Sequence, residues 1–385
     1  MPNAAQTFVA TLKQTAMKRT HIDWLLFLSA SALMLFSVAF VYSASAYFAD
    51  IKLGSPERLF VRHLVNVLLS FVVIIVFAKI DYHVWQKHTK TVMLFSLACL
   101  ALVFIAGVSV KGAQRRIAFG PLSFQPSELA KFALVLHLAR MMAEKAAYIK
   151  DFQRTFVPMM FWITITAGLI ALQPNFSTAA VMFLVGILLV FMGNANVGYL
   201  LLTFLVGIAG GSVYAIAAPY RLKRLNVFWE QLSSIIHVEA ISQKNYQLYQ
   251  AILAFGNGGI FGVGPGQSRQ RDWFLPESYG DFIFSIIGEE YGFIGVVAII
   301  VAFAIILWRG FITARTAPDD FGRFAAAGIT TVFALYAVIN MGVTTGLLPT
   351  TGLPLPFISY GGTAILFSGA ALGILLNISS QSSKP

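Results

Sequence analysis

Asp281 stands where the polar stretch 274–280 runs into a long apolar segment. A carboxylate at such a boundary can act as a general base on a substrate hydroxyl. Glu289 and Glu290 follow on the same segment, somewhat over two helical turns later. Two adjacent glutamates in an apolar helix cannot both face lipid, so at least one must turn inward to share a proton or meet a cation. In Gln125-Pro-Ser-Glu-Leu-Ala-Lys131, Glu128 and Lys131 lie one helical turn apart and can pair on one face. That pair either neutralises a helix end or lines a polar cavity. Upstream, Arg115 and Arg116 sit in the loop 111–121, and guanidinium groups there suit bidentate phosphate recognition. With Glu128 and Lys131 they are expected to line one cavity. The glycines at 256, 258, 259, 262, 264 and 266 lack the spacing of a nucleotide-binding fingerprint. Tight turns with close packing, or backbone N–H groups meeting a diphosphate, both remain open for them.

The elements that must position these groups are membrane helices. The chain is 58% hydrophobic and 11% charged, with a mean hydropathy of +0.76, whereas a water-soluble globule carries about 25% charge. A bilayer core takes about 20 apolar residues per helix, which predicts an all-α polytopic protein of ten spans near 23–44, 61–78, 91–109, 127–143, 156–172, 175–192, 198–218, 281–307, 324–345 and 355–378. The short alternating segments of a β-barrel do not appear in the sequence. Residues 1–22 read as a polar, basic terminal segment without a cleavable leader, 23–378 as one transmembrane domain, 219–280 as a large, ordered extracytoplasmic loop between spans seven and eight, and 379–385 as a tail. With both termini cytoplasmic, fourteen Lys and Arg fall on inner segments and six on short outer ones, which follows the positive-inside bias.

The net charge of +11 suits orientation and contact with anionic membrane lipid. A nucleic-acid partner is not expected, since no soluble basic domain is present. The single cysteine, Cys99, excludes a disulfide framework or a cysteine metal cluster. The six histidines lack metal-ligand spacing; His137 reads as a hydrogen-bonded bundle residue and the rest as loop or interface residues. The pairs Gly207/Gly211 and Gly369/Gly373 have the spacing that lets helices approach closely. Gly361-Gly362, after Pro354, Pro356 and Tyr360, predicts a broken entry into the last span.

Taken in order, Gly112-Ala-Gln-Arg-Arg, Gln125-Pro-Ser-Glu-Leu-Ala-Lys131, Gln173-Pro, Pro219-Tyr-Arg, the loop 256–268, Leu275-Pro-Glu with Asp281-Phe-Ile-Phe, Gly288-Glu-Glu and Pro354-Leu-Pro-Phe-Ile-Ser-Tyr-Gly-Gly362 resemble the SEDS family of FtsW, RodA and SpoVE. Tyr246-Gln-Leu and Gly264-Pro-Gly-Gln-Ser268 resemble the division branch, FtsW, more than the elongation branch. The resemblance implies a peptidoglycan glycosyltransferase of the bacterial cytoplasmic membrane that polymerises lipid II on its outer face. It also implies a class B penicillin-binding transpeptidase and other division or elongation proteins as partners. By position, Asp281 matches the family's essential acidic residue, and Arg115, Gln125, Glu128, Lys131 and Ser268 match other important polar positions. Arg271 stands where the family has a basic residue.

The sequence departs from the family pattern in places. Arg116 replaces a common tryptophan, Asn175 a common aspartate, and Ser278-Tyr-Gly280 an Ala-His-Thr, which leaves Asp281, helped by Glu277, as the acid–base candidate of its segment. Extending a glycan from a lipid diphosphate requires a base on the acceptor hydroxyl and cations or a divalent metal on the leaving diphosphate. Asp281 suits the first role, and Arg115, Lys131 and Arg271 the second. A Mg²⁺ or Mn²⁺ ion on Asp281 or Glu277 is compatible but not demanded by ligand spacing. A lipid II flippase is the rival reading, weakened by the lack of internal duplication and by an acidic motif at the surface rather than the midplane. A non-catalytic scaffold is the third.

Overall fold

The computed structural model describes residues 22–110, 113–119, 122–216, 226, 228–229, 246–276 and 278–382. The chain runs through α1 (Trp24–Leu53), α2 (Glu57–Lys79), α3 (Tyr82–Ala106), β1 (Val108–Val110), β2 (Ala113–Phe119), β3 (Leu122–Phe124), α4 (Pro126–Glu144), a π-helical turn (Phe152–Phe156) leading into α5 (Val157–Leu172), α6 (Phe176–Met192), α7 (Val197–Ile216), α8 (Tyr246–Gly258), α9 (Gln270–Trp273), α10 (Ile283–Thr316), α11 (Asp320–Thr344) and α12 (Gly362–Gln381). Helices stand at all ten places where the sequence predicts spans. Seven are long and apolar enough to cross a membrane, namely α1, α2, α3, α5 with its π turn, α10, α11 and α12, while α6 and the apolar part of α7 are shorter.

α4 differs in kind. It carries Glu128, Lys131, Arg140 and Glu144, and all but four of its 19 residues are buried. Protein surrounds most of it, so Glu128 and Lys131 face neighbours rather than hydrocarbon. The outer helices show the reverse pattern, with Leu68, Leu69, Val72 and Ile75 of α2 exposed toward the bilayer.

The helices close into a bundle at a seam between α2 and α12. A Cβ on Gly369 would fall 2.2 Å from Ser70 Oγ, and one on Gly373 2.6 Å from Phe77 Cβ. The expected small-residue spacing is therefore a true close approach. The Ser70 hydroxyl donates to the Ile365 carbonyl at 2.9 Å. At the far end of the same seam, Asn377 accepts from the Tyr82 N–H at 2.9 Å and donates to the Ala78 carbonyl at 2.8 Å. The pair Gly207/Gly211 is looser. Only Gly207 is forced, against the Phe183 ring.

Two features depart from the sequence reading. The segment read as a loop around Arg115 is a three-stranded antiparallel sheet in the order β1-β2-β3, with Val108 opposite Arg116 and Ile117 opposite Phe124. Of the segment 219–280, the part up to 245 lies outside the described residues apart from 226, 228 and 229. The part from Tyr246 folds against the bundle. α8 buries Leu248, Ala251 and Ala254, and the ring centroid of Phe255 lies 5.7 Å from that of Phe284 at the start of α10.

α10 is a broken helix. Gly292 lies at φ 63°, ψ −161°, a region open essentially to glycine alone. The backbone groups freed by the break pair with the glycine loop: Phe293 N–H donates to the Gly259 carbonyl, Ile294 N–H to Ile260, and the N–H groups of Val263 and Gly264 donate to the Glu289 and Glu290 carbonyls. The approach leaves no room for side chains. A Cβ on Gly262 would lie 2.2 Å from the Glu290 carbonyl oxygen and one on Gly292 2.4 Å from the Gly262 nitrogen. Irregular backbone at membrane depth persists where protein satisfies it, and this loop does that. The N–H groups of Gly262, Val263 and Gly264 are all spent on carbonyls, so this part of the loop packs against the broken helix, while the backbone of Gly266 and Ser268 bonds the Glu290 carboxylate.

Candidate active site

Asp281 lies half-buried in the turn that leads into α10, two residues before its first helical residue. Three successive carbonyls around it are held from across the chain. The Tyr360 N–H donates to the Tyr279 carbonyl at 2.9 Å, Ser359 Oγ to that of Gly280 at 2.8 Å, and Asn340 Nδ2 to that of Asp281 at 2.8 Å. The same Asn340 nitrogen donates to the Leu353 carbonyl at 2.7 Å. A Cβ on Gly352 would lie 3.1 Å from Asp281 Oδ2, so bare glycine backbone rests beside the carboxylate.

Further groups converge on this rim. The rings of Tyr279 and Tyr360 meet edge to face at 5.6 Å. Burial raises both phenols above their ordinary value, opposed by the positive charge of Arg116 at Tyr279 and of Arg62 and Arg116 at Tyr360. Gln125 caps α4 at the same end, its N–H donating to Thr363 Oγ1 at 3.3 Å and its side-chain amide to Ser127 Oγ at 3.0 Å. His63, read as a loop or interface residue, is fully buried in α2, with Nε2 2.9 Å from Ser37 Oγ and its ring 5.9 Å from Tyr360. Tyr360 and Asn340 have no chemical signature in sequence, and only the fold brings them to the Asp281 turn, with Arg62 beside Tyr360.

The other expected site residues fall into separate clusters. Successive strand residues point to opposite faces, so Arg115 and Arg116 cannot line one cavity together. Arg115, half-buried, donates from Nε to the Gln173 carbonyl at 3.3 Å and from Nη2 to that of Pro174, anchoring β2 to the turn between α5 and α6. Arg116 is exposed. Glu128 and Lys131 form a pair, Nζ to Oε2 2.7 Å, with each side chain 4% exposed, and Lys131 Nζ sits 4.0 Å from the centre of the Tyr336 ring.

Ser268 and Arg271 reach the broken helix from the glycine loop and α9. Ser268 Oγ and the Gln270 N–H donate to Glu289 Oε2, and Asn257 donates to Oε1 at 3.1 Å. Arg271 donates to Asp272 at 2.9 Å, to the Ser43 hydroxyl at 2.7 Å and to the Gly266 carbonyl at 2.7 Å, and its Nη1 lies 3.6 Å from Glu290. Ser43 also donates to Glu290. Glu277 lies outside the described residues. Among the described residues no group of three or more His, Cys, Asp or Glu side chains gathers to hold a metal ion. Asp281 is the one of the two metal-ligand candidates that the structure describes.

With this geometry in place, comparison with known proteins is informative. The pattern of the cell cycle protein family of FtsW, RodA and SpoVE matches residues 23–384. Stage V sporulation protein E of Bacillus subtilis is 37% identical over 371 residues, covering 95% of this chain and 99% of that protein. A probable peptidoglycan glycosyltransferase FtsW of Geobacter metallireducens is 38% identical, covering 93% and 95%. Among solved structures, a chain of a peptidoglycan synthase complex that coordinates polymerization and crosslinking superposes with a TM-score of 0.74 at 26% identity, covering 93% of this chain and 97% of that one. The rod shape determining protein RodA of Thermus thermophilus superposes at 0.69 with 24% identity, covering 94% and 98%. That second likeness speaks for the fold.

Proposed function

This chain belongs to the FtsW, RodA and SpoVE family of cell cycle proteins, and from that premise we propose that it is a peptidoglycan glycosyltransferase that polymerises lipid II into glycan strands during cell division. Both termini face the cytoplasm, and Asp281 works at the outer face of the membrane. The observation that carries this reading is the placement of Asp281, a half-buried carboxylate at the mouth of the bundle whose peptide is held at three successive carbonyls.

In the reaction, the Asp281 carboxylate takes the proton of the acceptor sugar hydroxyl. The resulting oxygen attacks the anomeric carbon of the donor, the bond from that carbon to the diphosphate breaks, and undecaprenyl diphosphate leaves with the electron pair. Cations must meet the charge that develops on the diphosphate. Arg116 on β2 and Arg62 on α2, whose charges both reach Tyr360 beside the Asp281 turn, fill that role, while Arg115 is committed to the Gln173 and Pro174 carbonyls. Lys131 and Arg271, engaged with Glu128 and Glu290, act with Gln125, Glu128 and Ser268 to hold the cavity's shape. The partner in this reading is a class B penicillin-binding transpeptidase, in keeping with the synthase complex among the structural relatives.

The test compares wild type with Asp281→Asn, alone and with a class B transpeptidase, in converting labelled lipid II to glycan strands in detergent. Polymer from wild type and a loss of at least about 10²-fold in the variant, the scale of a general base, at equal folded yield, is the expected result. Equal polymerisation by the variant sinks the assignment of Asp281, and lipid II flipping in liposomes then becomes the measurement.

A further inference from the structure

We propose that Asn340 is a positioning residue whose amide sets where the Asp281 carboxylate lies. The inference rests on the reading of Asp281 as the general base. Asn340 is 1% exposed on α11, a helix whose other inward positions include Phe333, Tyr336, Ala337 and Val343. A buried amide in such surroundings costs free energy unless it is hydrogen-bonded. Both of its N–H groups are used, and both go to irregular backbone: the carbonyls of Asp281 at 2.8 Å and Leu353 at 2.7 Å. Its Oδ1 is buried with no partner among the described residues. What the side chain contributes is therefore its pair of donors.

Those two carbonyls fix both surfaces that define the carboxylate's place. One belongs to the residue that bears it. The other follows Gly352, whose backbone at φ +73° has so little clearance that a Cβ would lie 3.1 Å from Asp281 Oδ2. A single planar amide thus spans the base and the wall beside it. The neighbouring bonds, from Ser359 Oγ to the Gly280 carbonyl and from the Tyr360 N–H to that of Tyr279, come from the loop itself. Of these three holds on the turn, that of Asn340 comes from a membrane helix, and a site held by a regular element is positioned more tightly than one held by loops. One turn earlier on the same face of α11, the Tyr336 ring receives Lys131 Nζ at 4.0 Å. The buried ion pair of α4 and the proposed base are therefore referenced to one helix.

The experiment is steady-state polymerisation of labelled lipid II by wild type, Asn340→Ala, Asp281→Asn and the double variant, each with its melting temperature, in complex with the transpeptidase. Misplacing a catalytic group by about 1 Å costs on the order of 10²-fold in rate. Asn340→Ala is expected to lose about that much in kcat with KM within about twofold. The double variant is expected to be no slower than Asp281→Asn, because a residue acting only through another adds nothing once that one is gone. A raised KM with unchanged kcat, or an equal further loss in the Asp281→Asn background, overturns the proposal. An active Asp281→Asn overturns the reading beneath it instead, so the two failures are distinct. If Asn340→Ala yields no monodisperse protein, Asn340→Ser, which keeps one donor, is expected to show intermediate kcat at unchanged KM. A wild-type kcat there also overturns the proposal.

Discussion

Two of the places where the bundle buries acid satisfy it differently. Glu128 sits on an unbroken helix and meets one cation one turn along, with a Tyr336 ring closing over that cation. Glu289 and Glu290 sit just before the break in α10 and draw on many donors: Asn257, Ser268 and the Gln270 N–H for the first, Ser43 and Arg271 for the second. The first arrangement is local and self-contained. The second is assembled from α1, α8, the glycine loop and α9, so it exists only after those elements have docked. A local pair can be read from spacing, whereas a dispersed shell of donors depends on the fold.

The largest expected effect breaks the second arrangement at its root. Gly292→Ala places a Cβ 2.4 Å from the Gly262 nitrogen at a backbone conformation essentially reserved for glycine, and neither backbone can retreat. Loss of the monodisperse species on size-exclusion chromatography is the expected outcome; a variant that elutes and melts like wild type refutes the account of the break. Next in size, Lys131→Met strands Glu128 in the core and is expected to cost about 3–5 kcal/mol, with Glu128→Gln added to Lys131→Met recovering most of it. Thermal melts of the single and double variants measure both.

Glu289→Gln tests the dispersed shell. It keeps the shape but turns one acceptor into a donor facing donors, for an expected loss of about 1–3 kcal/mol. A loss as large as that of Lys131→Met would mean that the donors act as one unit rather than sharing the charge. The smallest effect lies outside the membrane. Burial alone would raise the Asp81 carboxyl, but hydrogen bonds from the His83 N–H and ring, with that ring's charge, hold it below its ordinary value of 3.8. Its folded value is the lower one, so its contribution is present above about 3.8 and fades as pH falls through the depressed value. Asp81→Asn is expected to flatten only that acid limb of the melting profile.

The same contrast explains what was legible in the sequence. Apolar run length placed helices at ten positions, and spacing alone paired Glu128 with Lys131 and marked Gly369 and Gly373 for a close helix approach, the partner α2 being given by the fold. Asp281 stood out because a carboxylate at a boundary is anomalous wherever it occurs. The face of Arg115 was not legible, because a short strand on a polar stretch gives too little alternation to separate it from a loop, and one residue of register decides which arginine turns inward. The burial of His63 was hidden as well, since Ser37 lies on another helix. Asn340 carries no signal in the sequence, because its partners, Asp281 and Leu353, meet it only through the tertiary fold. Glu277 and most of 217–245 lie outside the described residues.

The α2–α12 seam carries a consequence for biosynthesis. Ser70, Ile74 and Phe77 can find Gly369 and Gly373 only after nearly three hundred intervening residues have been made, and Asn377 supplies the bonds that close the start of α3. A nascent chain in the membrane must therefore hold its first helices open to lipid until the ribosome releases the last one. During that interval the face of α2 that bears Ser70 stays without the partner that seals it in the finished fold.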